Sequence, residues 1–232
     1  MRLPRFAAVL IAAPLLATAC SVTSASSTPH AATSPASTSP DAGLLTGAQL
    51  NAMLAPATWF PSGYTADPTG SRNTGTAYVP PTPSGSLPCS RLDDTAWIDL
   101  SKVGPVSFAQ DDYIDQATSE EYAQEIDVFQ GSGAQQAMAG LRSVATTCPS
   151  FTDSQTSSTV TVRLRSGPAV GNDSLTFLLS DPAWAAGTAL EAVRVGSAVI
   201  TVLYSGASGN GVPQATSLAS LLAANVKNKI KS

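Results

Sequence analysis

Histidine is nearly absent from this sequence: of 232 residues only His30 is a histidine. It lies in a tract of Ser, Thr, Pro and Ala, so the part of the chain that can fold has none. Ser-His-Asp and Cys-His triads, histidine-ligated metals and histidine general bases are therefore excluded there. Glycine-rich phosphate loops, CxxC and HExxH are absent too. We expect no catalysis and no cofactor.

Charged residues are also scarce, at 12% of the chain, and the 16 acidic residues outnumber the 12 basic ones. Nucleic acids and anionic headgroups are recognised through basic surfaces, so nucleic acid is not an expected partner. Beyond the N-terminal segment, no run is long and apolar enough to cross a bilayer.

The first cysteine follows a short apolar segment that is preceded by Arg2 and Arg5. That order is typical of an export signal, and the small residues before Cys20 resemble a bacterial lipobox. The sequence predicts a signal peptide over 1–19 and lipidation of Cys20, which anchors the protein to the extracytoplasmic face of the cell membrane. Because Ala17 stands where Leu is commoner, cleavage by signal peptidase I is the alternative.

Residues 20–42 are almost entirely Ser, Thr, Pro and Ala, a composition that predicts a disordered tether. The remainder, 43–232, has the length of a single domain, which we expect to be monomeric. Cys89 and Cys148 are the two cysteines left in it, and in an exported chain they predict a disulfide. The chain-entropy model gives that crosslink about 3 to 4 kcal/mol.

Hydrophobic periodicity predicts an α+β domain, with a mainly antiparallel sheet of about six strands and helices packed on one face. The six segments are 106–114, 121–129, 159–165, 174–179, 189–195 and 198–204. Capping boxes at Thr46 and Ser132 begin two predicted helices, and a terminal helix begins near Pro213. Residues 56–88, rich in Pro, Gly, Ser and Thr, predict a long ordered loop.

Ten carboxylates fall between Asp93 and Asp127 and are opposed there only by Lys102. Such a cluster allows a glycosidase-type acid pair or a calcium site. Strand parity favours a third interpretation, because the carboxylates of 121–129 lie opposite its apolar side. Arginines of later strands follow the same parity, so the sequence predicts a solvated ladder of cross-strand ion pairs. These charged residues are Glu121, Glu125, Asp127, Arg163, Arg165 and Arg194.

Aromatic residues make up only 6% of the chain, and several lie in or beside segments that resemble loops. Large apolar side chains at such positions commonly line binding clefts, although they also anchor the loops that carry them. The four predicted cleft residues are Trp59, Tyr113, Tyr122 and Trp184.

The order "LLTGAQLNAML", "PCSRLDD", "EYAQEIDVF", "GAQQAMAGLRSVATTCPSF" and "AVRVGSAVITVLYSG", followed by an amphipathic helix, resembles one known family. It is similar to the extracellular sensor domain of mycobacterial serine/threonine kinase H and to lipid-anchored actinobacterial proteins that carry that domain without a kinase. The resemblance spans roughly 44–230 and implies a disulfide-stabilised α+β fold whose cleft binds an unidentified envelope ligand. An exported peptide as ligand, a carbohydrate-active enzyme and a protein-docking lipoprotein are the alternatives.

Overall fold

Eight antiparallel strands form one sheet in the computed structural model of the protein, which describes residues 41–206 and 209–230. The order across the sheet is β1-β2-β3-β8-β7-β6-β5-β4. The predicted signal peptide, Cys20 and nearly all of the tether lie outside the described residues.

The strands are β1 Tyr64–Asn73, β2 Ser107–Asp115, β3 Glu120–Val128, β4 Ser150–Thr152, β5 Thr159–Ser166, β6 Asp173–Ser180, β7 Thr188–Val195 and β8 Ala198–Ser205. The α-helices are α1 Gly47–Asn51, α2 Gly133–Thr147 and α3 Val212–Ile230. Three short 3₁₀ helices are η1 Ala57–Trp59, η2 Cys89–Asp93 and η3 Trp97–Ser101.

Helices cover both faces of the sheet, which corrects the prediction of helices on one face. Side chains of β8 alternate between two separate cores: Ile200 packs into one and Val199 into the other. The first core holds α1 and α3, and the second holds α2, η2 and η3. Because β7 and β8 are apolar on both sides, each face must be covered to remove it from water.

Eight strands rather than about six make the sheet, although its antiparallel α+β character is confirmed. Both missed strands are edges. β1 lies inside the predicted loop, and its pairing with β2 shifts register between Asp67 and Arg72, so Pro68 and Gly70 fall in an irregular stretch. Proline and glycine are tolerated at such edges and bulges, but they hide a strand from periodicity.

The predicted helices are present. At α1 the Thr46 side chain accepts from the backbone of Gln49 and the Gln49 side chain accepts from the backbone of Thr46, as predicted. At α2 the second capping box is wrong, because Ser132 makes no capping hydrogen bond and instead accepts from Gln136. Gly196 and Ser197 join β7 to β8 in an antiparallel hairpin, with Gly196 at φ +61°.

Cys89 and Cys148 form the predicted disulfide, with their Cα atoms 5.4 Å apart. The bond fastens η2 to the residue that ends α2, so it ties together two parts of the layer that covers the second face. No helix within 41–206 and 209–230 has both the length and the apolar character needed to span a bilayer.

Candidate functional site

The two sides of β3 carry different chemistry. Tyr122 and Ile126 point into the first core, whereas Glu125 and Asp127 alternate with them and point toward the second face. The predicted solvated ladder is wrong, because the side chains of Glu125 and Asp127 are 5% and 1% exposed. The arginines are also elsewhere: β5, which carries Arg163, is separated from β3 by three strands.

The other arginines of the predicted ladder also do not pair with Glu125 or Asp127. Arg163 and Arg165 alternate with Val162, which belongs to the second core, so they lie on the opposite face from the β3 carboxylates. Arg194 donates to the backbone oxygen of Gly196 within its own hairpin.

Three cavities follow one another along the second face, between the sheet and the segments that cover it. The first, of about 350 Å³, shares Arg72 with the second, of about 280 Å³. The second shares Glu121 with the third, of about 480 Å³. We call this chain of cavities the acidic groove. Its carboxylates are Asp67, Asp93, Asp94, Asp99, Asp112, Glu121, Glu125, Asp127 and Asp153, and its cations are Arg72 and Arg91.

The first cavity has an exposed rim and a buried floor. Val79, at the rim, is 39% exposed. Glu125 and Asp127 form the floor, and Oε2 of Glu125 and Oδ2 of Asp127 are buried without a hydrogen-bond partner. Thr201 lies opposite Glu125 in the next strand, and its buried Oγ1 is unpartnered as well.

A hydrogen-bond network organises the second cavity around Gln110. Its Nε2 donates to Thr95 Oγ1 at 2.8 Å and to both oxygens of Asp112 at 3.1 and 3.0 Å. Its Oε1 accepts from Arg72 Nε at 2.9 Å. The Asp112 carboxylate lies against Gly70, where an added Cβ would come within 2.1 Å of Oδ2. Glycine in the β1 bulge thus lets this carboxylate occupy its position.

Both arginines of the acidic groove already have acidic, amide or aromatic partners. Arg91 joins η2 to η3 by ion pairs with Asp94 at 2.5 Å and with Asp99 at 3.0 Å. The Arg72 guanidinium, bound to Gln110, also lies 5.7 Å from the centre of the Phe108 ring. The cations therefore position the walls, and neither of them forms a salt bridge with Glu125 or Asp127.

Burial raises the pKa of several carboxyls in the acidic groove, because a buried charge loses its hydration. The pKa of Asp112 rises to about 6, although hydrogen bonds from Gln110 and Thr95 act in the opposite direction. Burial and the neighbouring acidic groups raise the pKa of Glu121 to about 7. Burial also raises the pKa values of Glu125 and Asp127 well above the ordinary carboxyl range.

The third cavity places an aromatic ring beside the carboxylates. Trp184 lines it, and its Nε1 donates to Asp153 at 2.8 Å. That hydrogen bond is the main cause that lowers the pKa of Asp153. This end of the acidic groove thus presents an ionised carboxylate and an indole face, which suits ligands with both polar and apolar parts.

The opposite face of β3 is covered by an aromatic cluster. Tyr122 contacts four rings at centroid distances of 4.6 to 5.8 Å. The rings are Trp59, Phe60, Tyr64 and Tyr204. Tyr113 stacks on Phe60 at 3.9 Å and is 5% exposed.

The four predicted cleft residues are therefore divided. Trp59, Tyr113 and Tyr122 lie in or beside the first core, and Trp184 packs beside the second and lines the third cavity. A ligand-lining role for them stays a prediction.

Several groove residues were not identified from the sequence. Arg72 and Gly70 lie in the strand mistaken for a loop, and Gln110 is one amide in a polar strand. Arg91 had a signal, since arginine at position 91 precedes aspartates at 94 and 99 with the spacing of short helical turns. Within 41–206 and 209–230, no group of three or more His, Cys, Asp or Glu side chains is placed to hold a metal ion.

An α+β fold of this kind is already represented among solved structures. The chain is similar to the crystal structure of the extracellular domain of PknH from Mycobacterium tuberculosis, with a TM-score of 0.51 and 14% identity. The match covers 81% of this chain and 97% of that one. The resemblance noted from the sequence is confirmed for the fold. No family model and no curated protein matches the chain.

Proposed function

We propose that this protein is an extracytoplasmic lipoprotein with a sensor-like domain that binds a small envelope component or an exported peptide in the acidic groove, without catalysis. The observation that carries the binding role is the groove itself: three neighbouring cavities lined by nine carboxylates and two arginines. Lipidation of Cys20 would anchor the domain, and residues 20–42 would hold it away from the membrane.

The alternation of β3 supports the choice of face. Satisfied polar groups occur where the strand has only a packing role: Gln124, buried on the first face, donates to Ala55 O at 3.1 Å and accepts from Ala55 N at 2.7 Å. Unsatisfied buried oxygens occur on the other side, at Glu125 and Asp127. Unpaired buried polar atoms are costly, and those of Glu125 and Asp127 belong to side chains that line a cavity, where a ligand can supply the missing partner.

Binding is tested by titrating the purified full chain with a library of cell-wall fragments, lipids and short peptides while amide NMR spectra are recorded. Hits should shift resonances of β1–β3, η2 and η3. Glu121 lines two of the cavities, so Glu121→Gln should weaken the binding of these hits. Asp111→Asn is the matched control, because Asp111 lies on the other face of β2 and accepts a hydrogen bond from Tyr113. Shifts confined to the aromatic cluster, or no hits, would refute this site.

Anchoring is tested separately by mass spectrometry of the mature protein from membranes. A diacylglyceryl group on an N-terminal Cys20 is the expected result. An unmodified, freely secreted chain cleaved near Ala19 would overturn the anchor while leaving the acidic groove untouched.

A carbohydrate-active enzyme is the second candidate, and one observation favours it. Asp112 and Glu121 line the same cavity, and burial raises the pKa of both toward neutrality, as a general acid requires. Asp112→Asn and Glu121→Gln should then abolish hydrolysis of a responsive glycan. If no assayed glycan is hydrolysed by the unaltered chain, this candidate is rejected.

A further inference from the structure

The floor of the first cavity presents acceptor atoms without donors. Oε2 of Glu125 and Oδ2 of Asp127 have no hydrogen-bond partner, although their side chains are 95% and 99% buried, from exposures of 5% and 1%. Buried polar side-chain atoms in folded proteins nearly always have one. Because both side chains line the cavity, a ligand that enters it lies beside two carboxylates that each have an unpartnered oxygen.

The walls of the same cavity are largely apolar. They are formed by Val79, Pro80, Ala96, Pro105 and Phe108. The volume of about 350 Å³ is many times the ~30 Å³ that one water occupies in the liquid. Apolar walls together with carboxylate acceptors suit a ligand that has a methylene chain with a charged donor at its end, as the lysine side chain has.

The charges that line this cavity select a cation. Three carboxylates line it, and its one cation is Arg72, which is held by Gln110 and lies near Phe108. Asp99 is paired with Arg91, so Glu125 and Asp127 are the carboxylates of this cavity that remain to bind a ligand. An ammonium has three donors and needs no fixed coordination shell, and no metal-binding group occurs in the described part of the chain.

We propose that Glu125 and Asp127 bind the ammonium group of an alkylamine and release protons to solvent as they bind it. The inference rests on the proposed function, since it names the ligand class of the acidic groove. The amine enters protonated, each carboxyl that ionises loses one proton, and only O–H bonds break. A free amine and a lysine side chain share this chemistry.

Proton release follows from the surroundings of the two carboxyls. Burial favours their neutral forms and raises their pKa values. The neighbouring Glu125 raises the pKa of Asp127 further, and Asp99 raises the pKa values of both. Asp112 also raises the pKa of Glu125, while Arg72 lowers both values and Arg91 lowers that of Glu125. An ammonium within hydrogen-bond distance stabilises the ionised forms. Affinity should therefore rise with pH until the carboxyls ionise without ligand.

The test is isothermal titration calorimetry of the full chain with n-butylamine, at about pH 6 and about pH 8, where an alkylamine stays protonated like lysine. Two buffers of different ionisation enthalpy give the number of protons released. We expect affinity to rise by up to about tenfold per pH unit for each proton released. n-Butanol and butyrate, which lack the positive charge, should bind at least tenfold more weakly. Nα-acetyl-lysine methylamide is a model of a lysine within a peptide. If n-butylamine binds, binding of this compound identifies a peptide lysine as the ligand and its failure to bind identifies a free amine, and both results support the site.

Glu125→Gln and Asp127→Asn should each weaken n-butylamine binding at least tenfold and reduce the proton count. Glu191→Gln is the matched control, because Glu191 is also fully buried with an unpartnered Oε2 but lies beside Thr216 of α3, outside the acidic groove. It should bind n-butylamine like the unaltered chain. If a groove variant fails to fold, the pH dependence and proton count of the unaltered chain decide.

Two results would overturn the proposal. Equal affinity for n-butylamine and n-butanol would make the cavity a purely apolar site, and binding without proton release would exclude the carboxyls as the acceptors. In either case, library hits on other parts of the acidic groove would leave the proposed function standing. If no compound of the library binds either, both the amine site and the proposed binding function are rejected.

Discussion

The two faces of β3 are both buried, but they differ in whether their polar groups have hydrogen-bond partners. On the first face, Tyr122 contacts four aromatic rings and Gln124 has both of its hydrogen bonds. On the second, Glu125 and Asp127 are equally buried but have unpartnered oxygens. One strand thus contributes a packed scaffold on one side and a costly polar surface on the other. This difference is the basis of our proposal that the second face binds the ligand.

The largest expected effect comes from the disulfide that fastens η2. Cys89→Ala with Cys148→Ala should lower the free energy of unfolding by about 4 kcal/mol, because the crosslink closes a long loop in the unfolded chain. Guanidinium unfolding measures the loss. Hydrogen exchange should increase in η2 and η3 more than in β8 and α3, and a uniform increase across both faces would contradict a locally fastened groove.

Removing the central ring of the first face should have the next largest effect. Tyr122→Ala should cost about 3 kcal/mol or more, as deletion of a buried aromatic side chain does. Tyr122→Phe keeps the ring contacts and is the control, with a loss under about 1 kcal/mol. Urea unfolding gives both values. Affinity for groove ligands should stay unchanged in Tyr122→Phe, and a loss there would remove the distinction between the faces.

Gly70→Ala should destabilise by about 2 kcal/mol, in the range of overpacked sites. Its Cβ would overlap the Asp112 side chain, with Oδ2 at 2.1 Å and the Asp112 Cβ at 2.6 Å, so a rotamer change alone does not relieve it. Gly85→Ala, with nothing within 4 Å of the added Cβ, is the matched control and should be close to neutral. Equal thermal melts for the two variants would show that the β1 bulge does not shape the acidic groove.

The smallest expected effect is the change in the free energy of unfolding for each unit of pH. The folded-state pKa values of Glu125 and Asp127 are raised, so between the ordinary carboxyl range near 4 and their raised values the folded state binds more protons. Stability should therefore fall as pH rises through that window, by about 1.4 kcal/mol per unit for each proton.

Variants in two regions separate the contributions of different carboxyls to the pH dependence of stability. Glu125→Gln with Asp127→Asn should flatten the decline between about pH 4 and pH 8. Asp173→Asn should act at lower pH, because the hydrogen bonds from Arg142 lower the pKa of Asp173 and its stabilisation is lost as pH falls. Urea midpoints across pH measure both. An unchanged slope in the double variant would show that the groove carboxyls are ionised in the free protein.

Periodicity predicted the central strands well, because "AVITVLY" and "ALEAVRV" are apolar enough to identify a buried sheet. It also predicted the terminal helix, whereas the disulfide was predicted from the two cysteines that remain after Cys20. The same parity argument placed Glu125 and Asp127 opposite Ile126 correctly but assigned that side to solvent. The error arises because burial there is imposed by η2 and η3, whose position over β2 and β3 is a tertiary property.

The acidic groove was hidden for a related reason. Its first wall is β1, an edge strand with Pro68 and Gly70 that lacks the alternation by which a strand is recognised. Gln110 becomes informative only when the fold brings Arg72, Thr95 and Asp112 around its amide. Sequence spacing indicated an unusual density of carboxylates, but pairing across strands decided which of them meet.

The most direct measurement is a carbon-detected NMR titration of the side-chain carboxyls of the full chain, with and without n-butylamine. We expect Glu125 and Asp127 to titrate well above the ordinary range near 4 in the free protein and to shift to lower pH with the amine, while Asp67, whose pKa is lowered by hydrogen bonds from Thr69, does not move. Midpoints near 4 for both groove carboxyls, unaffected by the amine, would contradict a proton-linked binding face.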